Sequence, residues 1–265
     1  MAKERSVKFF DSWRCYTPAM NDCIAILGAL KEEIAGIKQA MNISDRVRLG
    51  KSDAWPGKWA GHNIVLVRSG VGKQRAADCC LQVVDRFRPK ALISIGYAGA
   101  VREALKPGDM VIADSIVELV GQEDKIFVPD SDWLNRARET PCPEGAEKVV
   151  GGLLTVNAVI HDPVAKRELG RKYNVQAVEM ETSAIATVAT KKNLPLLSVR
   201  AISDSIDQEL LDSSSFLGSD GEVSTLKAGW YVLTHPGSIK NALSLRTQTL
   251  QATQNLTRFL SDLLG

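Results

Sequence analysis

In this 265-residue chain a few acidic and glycine-rich segments have the types and spacing to do chemistry. Glu179 and Glu181 stand two apart in Gln176-Ala177-Val178-Glu179-Met180-Glu181, an otherwise apolar segment leading into a core helix. Residues two apart on a strand share one face, and carboxylates in such a setting are costly unless something pairs with them. Asp204 closes the run Val199-Arg200-Ala201-Ile202-Ser203-Asp204, and Lys31-Glu32-Glu33 follows the first apolar run. Two glycine-bearing stretches, Ser69-Gly70-Val71-Gly72 and Gly96-Tyr97-Ala98-Gly99, directly follow two further apolar runs. Each feature also has a plain reading. Lys31-Glu32-Glu33 fits the solvated first turn of a helix, where acids favour the positive end. The glycines fit ordinary strand-to-helix turns, and Asp204 fits a turn cap.

Other chemistries have less to build on. His62, His161 and His235 are scattered, and no Cys/His cluster has metal-ligand spacing, so no metal site is expected. Lys73 is followed by Gln74, which is not the P-loop pattern, and there is no G-x-S-x-G elbow. Cysteines 15, 23, 79, 80 and 142 are odd in number and lack C-x-x-C spacing. That is the pattern of reduced, mostly buried thiols in a reducing compartment. The charge sum of 33 basic against 31 acidic side chains, net +2, gives no basic excess for nucleic acid. No apolar run reaches the roughly 20 residues that cross a bilayer, and the first residues lack the apolar core of a signal peptide. A cytoplasmic protein is expected.

In open α/β sheets, ligands gather at the carboxyl ends of strands, so the elements that would position these residues matter. Short apolar runs predict strands over 23–28, 63–68, 91–95, 108–113, 153–156, 176–180 and 194–202, with weaker ones at 46–49 and 58–60. Helices are predicted over 73–87, 132–138, 163–173 and 182–193, and two more finish the chain. In 73–87 the stripe is Ala77, Cys80, Leu81, Val84 and Phe87. Residues 121–145 read as loops holding only the 132–138 helix. Residues 1–21 read as an extension, 205–222 as a mobile loop, and 22–265 as a single domain. Alternating strands and helices predict a three-layer α/β/α sandwich with a central mixed, largely parallel sheet.

Taken in order, Ala25-Ile26-Leu27-Gly28-Ala29-Leu30-Lys31-Glu32-Glu33, Ser69-Gly70-Val71-Gly72-Lys73, Gly96-Tyr97-Ala98-Gly99-Ala100, Ala177-Val178-Glu179-Met180-Glu181-Thr182 and Val199-Arg200-Ala201-Ile202-Ser203-Asp204 form a set. Over roughly residues 22 to 204 the chain resembles the nucleoside phosphorylase/nucleosidase superfamily. The nearest likeness is to the 5′-methylthioadenosine/S-adenosylhomocysteine nucleosidases. The resemblance implies cleavage of the N-glycosidic bond of a purine nucleoside, a 5′-substituted adenosine, with release of adenine and without a cofactor. It assigns Asp204 as the acid that protonates purine N7, Ser203 as its orienting neighbour, and Glu33 as the base that activates water. Glu181 would hold the ribose hydroxyls, Met180 would lie under the sugar, and Glu179 would stand beside nucleophile and ribose. Tyr97, Ala98 and Gly99 would line the substrate, and Val159 and Ile160 would meet the base. A homodimer is the implied assembly.

Three departures stand out. Valine occupies position 159 where such nucleosidases usually stack an aromatic ring on the purine, and the lost stack is worth about 1 kcal/mol or more. Tyr97 replaces a small residue in the glycine stretch. The C-terminal part, with Pro236, is more like the tail of hopanoid-associated members, which points to a bulky or apolar 5′ group. Two alternatives stay open. A phosphorylase would use phosphate, with Arg68 and Lys73 as sources of positive charge; a non-catalytic sensor would bind the nucleoside and leave it intact.

Overall fold

The computed structural model describes residues 22–120, 123–208 and 238–265, with the backbone alone over 238–246. The predicted extension 1–21, most of the predicted loop (209–222) and the first of the two C-terminal helices lie outside the described residues.

The described residues build an eleven-stranded mixed sheet, and alternation along its strands sends apolar side chains to two faces. In β1 (Cys23–Gly28), Cys23, Ala25 and Leu27 join one apolar cluster, while Ile24 and Ile26 join another on the opposite face. Both faces are therefore covered by helices, as a continuous apolar run requires. On one face lie α2 (Lys73–Phe87) and α5 (Thr182–Lys192). On the other lie α1 (Lys31–Ala40), α3 (Ser131–Glu139) and α6 (Ser238–Leu264), the last inserting Ala252, Leu256, Phe259, Leu260 and Leu263. α4 (Pro163–Tyr173) packs on β10 (Val175–Glu179). This is the expected three-layer sandwich.

β1 runs parallel to both β5 (His62–Arg68) and β6 (Ala91–Ala100), and β6 runs parallel to β11 (Leu196–Asp204). β7 (Met110–Val120) is antiparallel to β11 but parallel to β9 (Lys148–Thr155), which is parallel to β10. Ala177 and Val178 of β10 then pair back, antiparallel, with Ala100 and Gly99 of β6. The path β6–β11–β7–β9–β10 thus closes on itself. β4 (Ser52–Trp59) extends the far side of the sheet, carrying the short β2 (Asn42–Ile43) and β3 (Val47–Leu49).

Several expectations are corrected. Gly96–Gly99 is not a turn: it continues β6, because β10 and β11 supply ladder partners to its far end. The polar stretch after 121 contains a strand, β8 (Glu123–Phe127), paired with β7 as a hairpin. In α2 the buried side is Ala76, Cys79, Cys80, Val83, Val84 and Phe87, so the stripe is rotated and Leu81 lies exposed. Cys23, Cys79, Cys80 and Cys142 are free thiols, and burial pushes Cys79 up to about 11 and Cys80 to about 12.

Candidate active site

Glu33 sits in the first turn of α1, and its carboxylate turns back onto the chain entering the helix. Oε2 accepts from the backbone N–H groups of Ala29 at 2.7 Å and Leu30 at 2.8 Å, satisfying donors a helix start leaves open. Oε1 accepts from Tyr97 N–H at 2.9 Å, tying α1 to β6. The side chain is 5% exposed. Burial pushes its proton affinity up, against the opposing pull of those amides and of the Arg200 charge. The approach to β6 requires glycine at 96: a Cβ there would lie 2.6 Å from Glu33 Oε1, and the backbone φ of +153° also suits glycine.

Glu179 ends β10 and is surrounded by donors. Oε1 accepts from Thr155 Oγ1 at 2.6 Å; Oε2 accepts from the N–H groups of Glu181 and Thr182, each at 2.9 Å, and from Arg200 Nη2 at 3.1 Å. It therefore caps α5, where the positive helix end favours a carboxylate. Strand β10 stops at Glu179, so Glu181 does not share a strand face with it; Glu181 occupies the N-cap position of α5. From there Glu181 Oε1 accepts from Gly72 N–H at 2.7 Å. Burial, then the negative charges of Glu179 and Glu33, push Glu181 up to about 8.

Asp204 ends β11, 4% exposed, with both oxygens engaged. Oδ1 accepts from Ser203 Oγ at 2.6 Å, and Oδ2 accepts from Lys166 Nζ at 2.6 Å. Ser203 Oγ also lies 3.4 Å from the Ala98 carbonyl. A Cβ on Gly99 would sit 3.0 Å from Asp204 Oδ2. Glu33 and Asp204 thus flank one four-residue stretch of β6, Gly96–Gly99, with Glu181 electrostatically coupled to Glu33. Met180 is half-buried in the turn between the two glutamates. The Tyr97 hydroxyl hydrogen-bonds Thr253 Oγ1 on α6, which ties the C-terminal helix to this stretch. Val159 and Ile160 lie in the β9–α4 loop, and Ile160 is half-buried against the apolar cluster that includes Val101, Leu154 and Val178.

Two site residues escaped the sequence reading. Arg200, 2% exposed in mid-β11, donates through Nη2 to Ser94 Oγ (2.8 Å), Thr182 Oγ1 (2.6 Å) and Glu179. A single charge inside an apolar strand was a visible signal for it. Lys166 gave none: on α4 it lies among Arg167, Glu168, Arg171 and Lys172, and resembles a solvated face. Among the described residues no group of three or more His, Cys, Asp or Glu side chains is placed to hold a metal, and no helix is long and apolar enough to cross a membrane.

Residues 23–226 match the model of the phosphorylase superfamily. The chain belongs to this superfamily. Within the superfamily, a 5′-methylthioadenosine/S-adenosylhomocysteine nucleosidase of Listeria welshimeri is 34% identical over 204 residues, covering 70% of this chain and 88% of the relative. A nucleosidase of the same name from Shewanella sediminis is 27% identical over 219 residues, 77% of this chain and 95% of the relative. The crystal structure of the Neisseria meningitidis nucleosidase with methylthio-immucillin-A matches with a TM-score of 0.73 at 24% identity, covering 91% of this chain and 98% of that one. Helicobacter pylori futalosine hydrolase matches at 0.72 and 19% identity, covering 91% and 97%. At these identities the structural likeness speaks to the superfamily's fold.

Proposed function

We propose that the chain hydrolyses the N-glycosidic bond of a 5′-substituted adenosine, of the methylthioadenosine or S-adenosylhomocysteine kind, and releases adenine. The observation that carries this reading is the seating of Glu33 and Asp204 at opposite ends of Gly96–Gly99, with Glu181 between the α5 start and Gly72. Breaking the bond builds positive charge on the ribose and negative charge on the base. Glu33, strengthened as a base by burial, takes the proton of the attacking water. Glu181 receives the ribose hydroxyls, with Met180 beneath the sugar. Glu179, pinned by four donors, holds the start of α5 and so the position of Glu181. Asp204, oriented by Ser203, delivers a proton to N7. Tyr97, Ala98 and Gly99 form the floor of the site, and Val159 and Ile160 reach the base from the β9–α4 loop.

Water is favoured over phosphate as the nucleophile. The two cations that would offset a phosphate dianion are already engaged: Arg68 pairs with Asp53 at 2.8 Å, and Lys73 with Glu118 at 2.9 Å. The Glu33 carboxylate would repel such an anion. A pure sensor has no use for the proton-transfer groups retained here. The family likeness further supports a homodimer, and the free buried thiols suit a reducing cytoplasm.

Incubation with a panel of 5′-modified adenosines, with and without phosphate, tests the reading. Adenine release without phosphate is expected. Release only with phosphate identifies a phosphorylase, and tight binding without release identifies a sensor; either result overturns hydrolysis.

A further inference from the structure

A carboxyl group that protonates a purine must hold or receive the proton, yet Asp204 meets a lysine amine at 2.6 Å. Lys166 is 0% exposed. Its Nζ has three acceptors: Asp204 Oδ2 (2.6 Å), the Ser205 carbonyl (3.1 Å) and the Gln208 carbonyl (3.3 Å). An ammonium carries three donors and no acceptor, so the geometry uses the charged form completely. Its neighbour Arg167 turns outward to Glu103 and Asp207. Buried ion pairs are weak sources of stability, and apolar replacements are often tolerated. Stability alone therefore gives little reason for a lysine here. The acid it touches is the group that must hand a proton to the departing base.

Resting on the hydrolase reading above, we propose that Lys166 is the positioning and proton-supplying partner of Asp204. As the C1′–N9 bond breaks, its electron pair stays with the base. Lys166 passes a proton to Asp204 and is left as a neutral amine, and Asp204 passes that proton on to N7 and returns to the carboxylate. Water adds to the anomeric carbon and its proton goes to Glu33. Return of that proton to solvent, and uptake of one by Lys166, complete the cycle. The lysine thereby lets Asp204 rest as a carboxylate fixed on both oxygens and still act as the donor.

The test uses Lys166→Met, with adenine release from methylthioadenosine compared with nitrophenol release from 4-nitrophenyl ribofuranoside, whose leaving group departs without protonation. The expected result is a fall of at least 100-fold in kcat for adenine release, a KM within threefold, and a nitrophenol-to-adenine rate ratio raised more than 30-fold. Asp204→Asn should raise the same ratio. Should Lys166→Met fail to fold because it strands a buried carboxylate, the double variant Lys166→Met/Asp204→Asn removes both charges. It should match Asp204→Asn alone on both substrates. An adenine kcat within threefold of wild type, a parallel loss on both substrates, or a double variant clearly slower than Asp204→Asn would overturn the role of Lys166. Wild-type protein that releases adenine from no nucleoside would overturn the hydrolase reading as well.

Discussion

Replacing Arg200 by methionine removes the guanidinium that joins β11, β6, β10 and α5, and should destabilise the protein strongly. The side chain is 2% exposed and its Nη2 serves Ser94, Glu179 and Thr182, while Nη1 reaches the Val199 carbonyl at 3.1 Å. Methionine has similar length, so the loss is one of charge and hydrogen bonds rather than of volume. Breaking a buried ion pair by removing one partner costs about 3–5 kcal/mol. Glu179 keeps Thr155 Oγ1 and two backbone N–H donors, which places the expected cost near the lower end, ~3 kcal/mol. At about 2–4 °C per kcal/mol for a chain of this size, Tm should fall by roughly 6–12 °C. The pair is then isolated by a double-mutant cycle in urea with Glu179→Gln: the double variant, which buries no lone charge, should lose at least ~1 kcal/mol less than the sum of the singles. Arg200 also draws down the proton affinities of Glu33 and Glu181, so Arg200→Met should raise both and slow turnover at neutral pH. A Tm within 2 °C of wild type (about 1 kcal/mol or less), or strict additivity, would refute the assignment of Arg200 as the buried counter-ion.

Three further outcomes are expected. Glu181 titrates near 8 in the folded chain, above its ordinary carboxyl value, so the folded state binds the extra proton and stability should fall as pH rises from about 5 to 8. Glu181→Gln should remove that part of the slope in urea melts at several pH values; an unchanged slope contradicts the burial-driven shift. Gly96→Ala should displace the Glu33 carboxylate that lies 2.6 Å from the added Cβ, and a displacement of about 1 Å is enough to cut kcat about 100-fold; kinetics within threefold of wild type would show that the contact is dispensable. Asp204→Asn should reduce kcat far more than it weakens binding of a substrate analogue, since an amide keeps the shape but cannot pass a proton to N7; near-normal turnover would exclude Asp204 as the donor.

Local signals were legible where a residue type decides the geometry alone. Pro163 fits the first turn of α4, where its missing N–H costs nothing, and that helix and α2 span the residues predicted for them; the structure adds the Asp162 side chain, which accepts from Val164 and Ala165 N–H. What escaped depends on pairing between distant segments. Gly96–Gly99 reads as a turn because glycine favours turns, yet β10 and β11 hold it in register as strand. β8 is polar, with Glu123, Asp124, Lys125 and Ile126 all exposed, so no alternation marks it. Glu179 and Glu181 looked paired on one strand face, whereas a strand end and a helix start separate them. Lys166 becomes visible only through a partner 38 residues away.

The cations divide the four acids into two kinds. Arg200 pairs with Glu179, and Lys166 with Asp204, each from a buried position. Glu33 and Glu181 have no ion-pair partner among the described residues and rest on backbone N–H groups instead. Backbone donors orient a carboxylate without supplying a full opposing charge, so burial prevails and both unpaired acids are pushed up. Under the proposed hydrolysis the consequence for Glu33 is useful, because the upward push makes its carboxylate a stronger base. A lysine or arginine against Glu33 would hold the carboxylate just as firmly and make it a poorer base. The arrangement therefore gives full counter-charges to the acid that caps α5 and to the acid proposed to be reloaded, and withholds them from the acid proposed to take a proton from water.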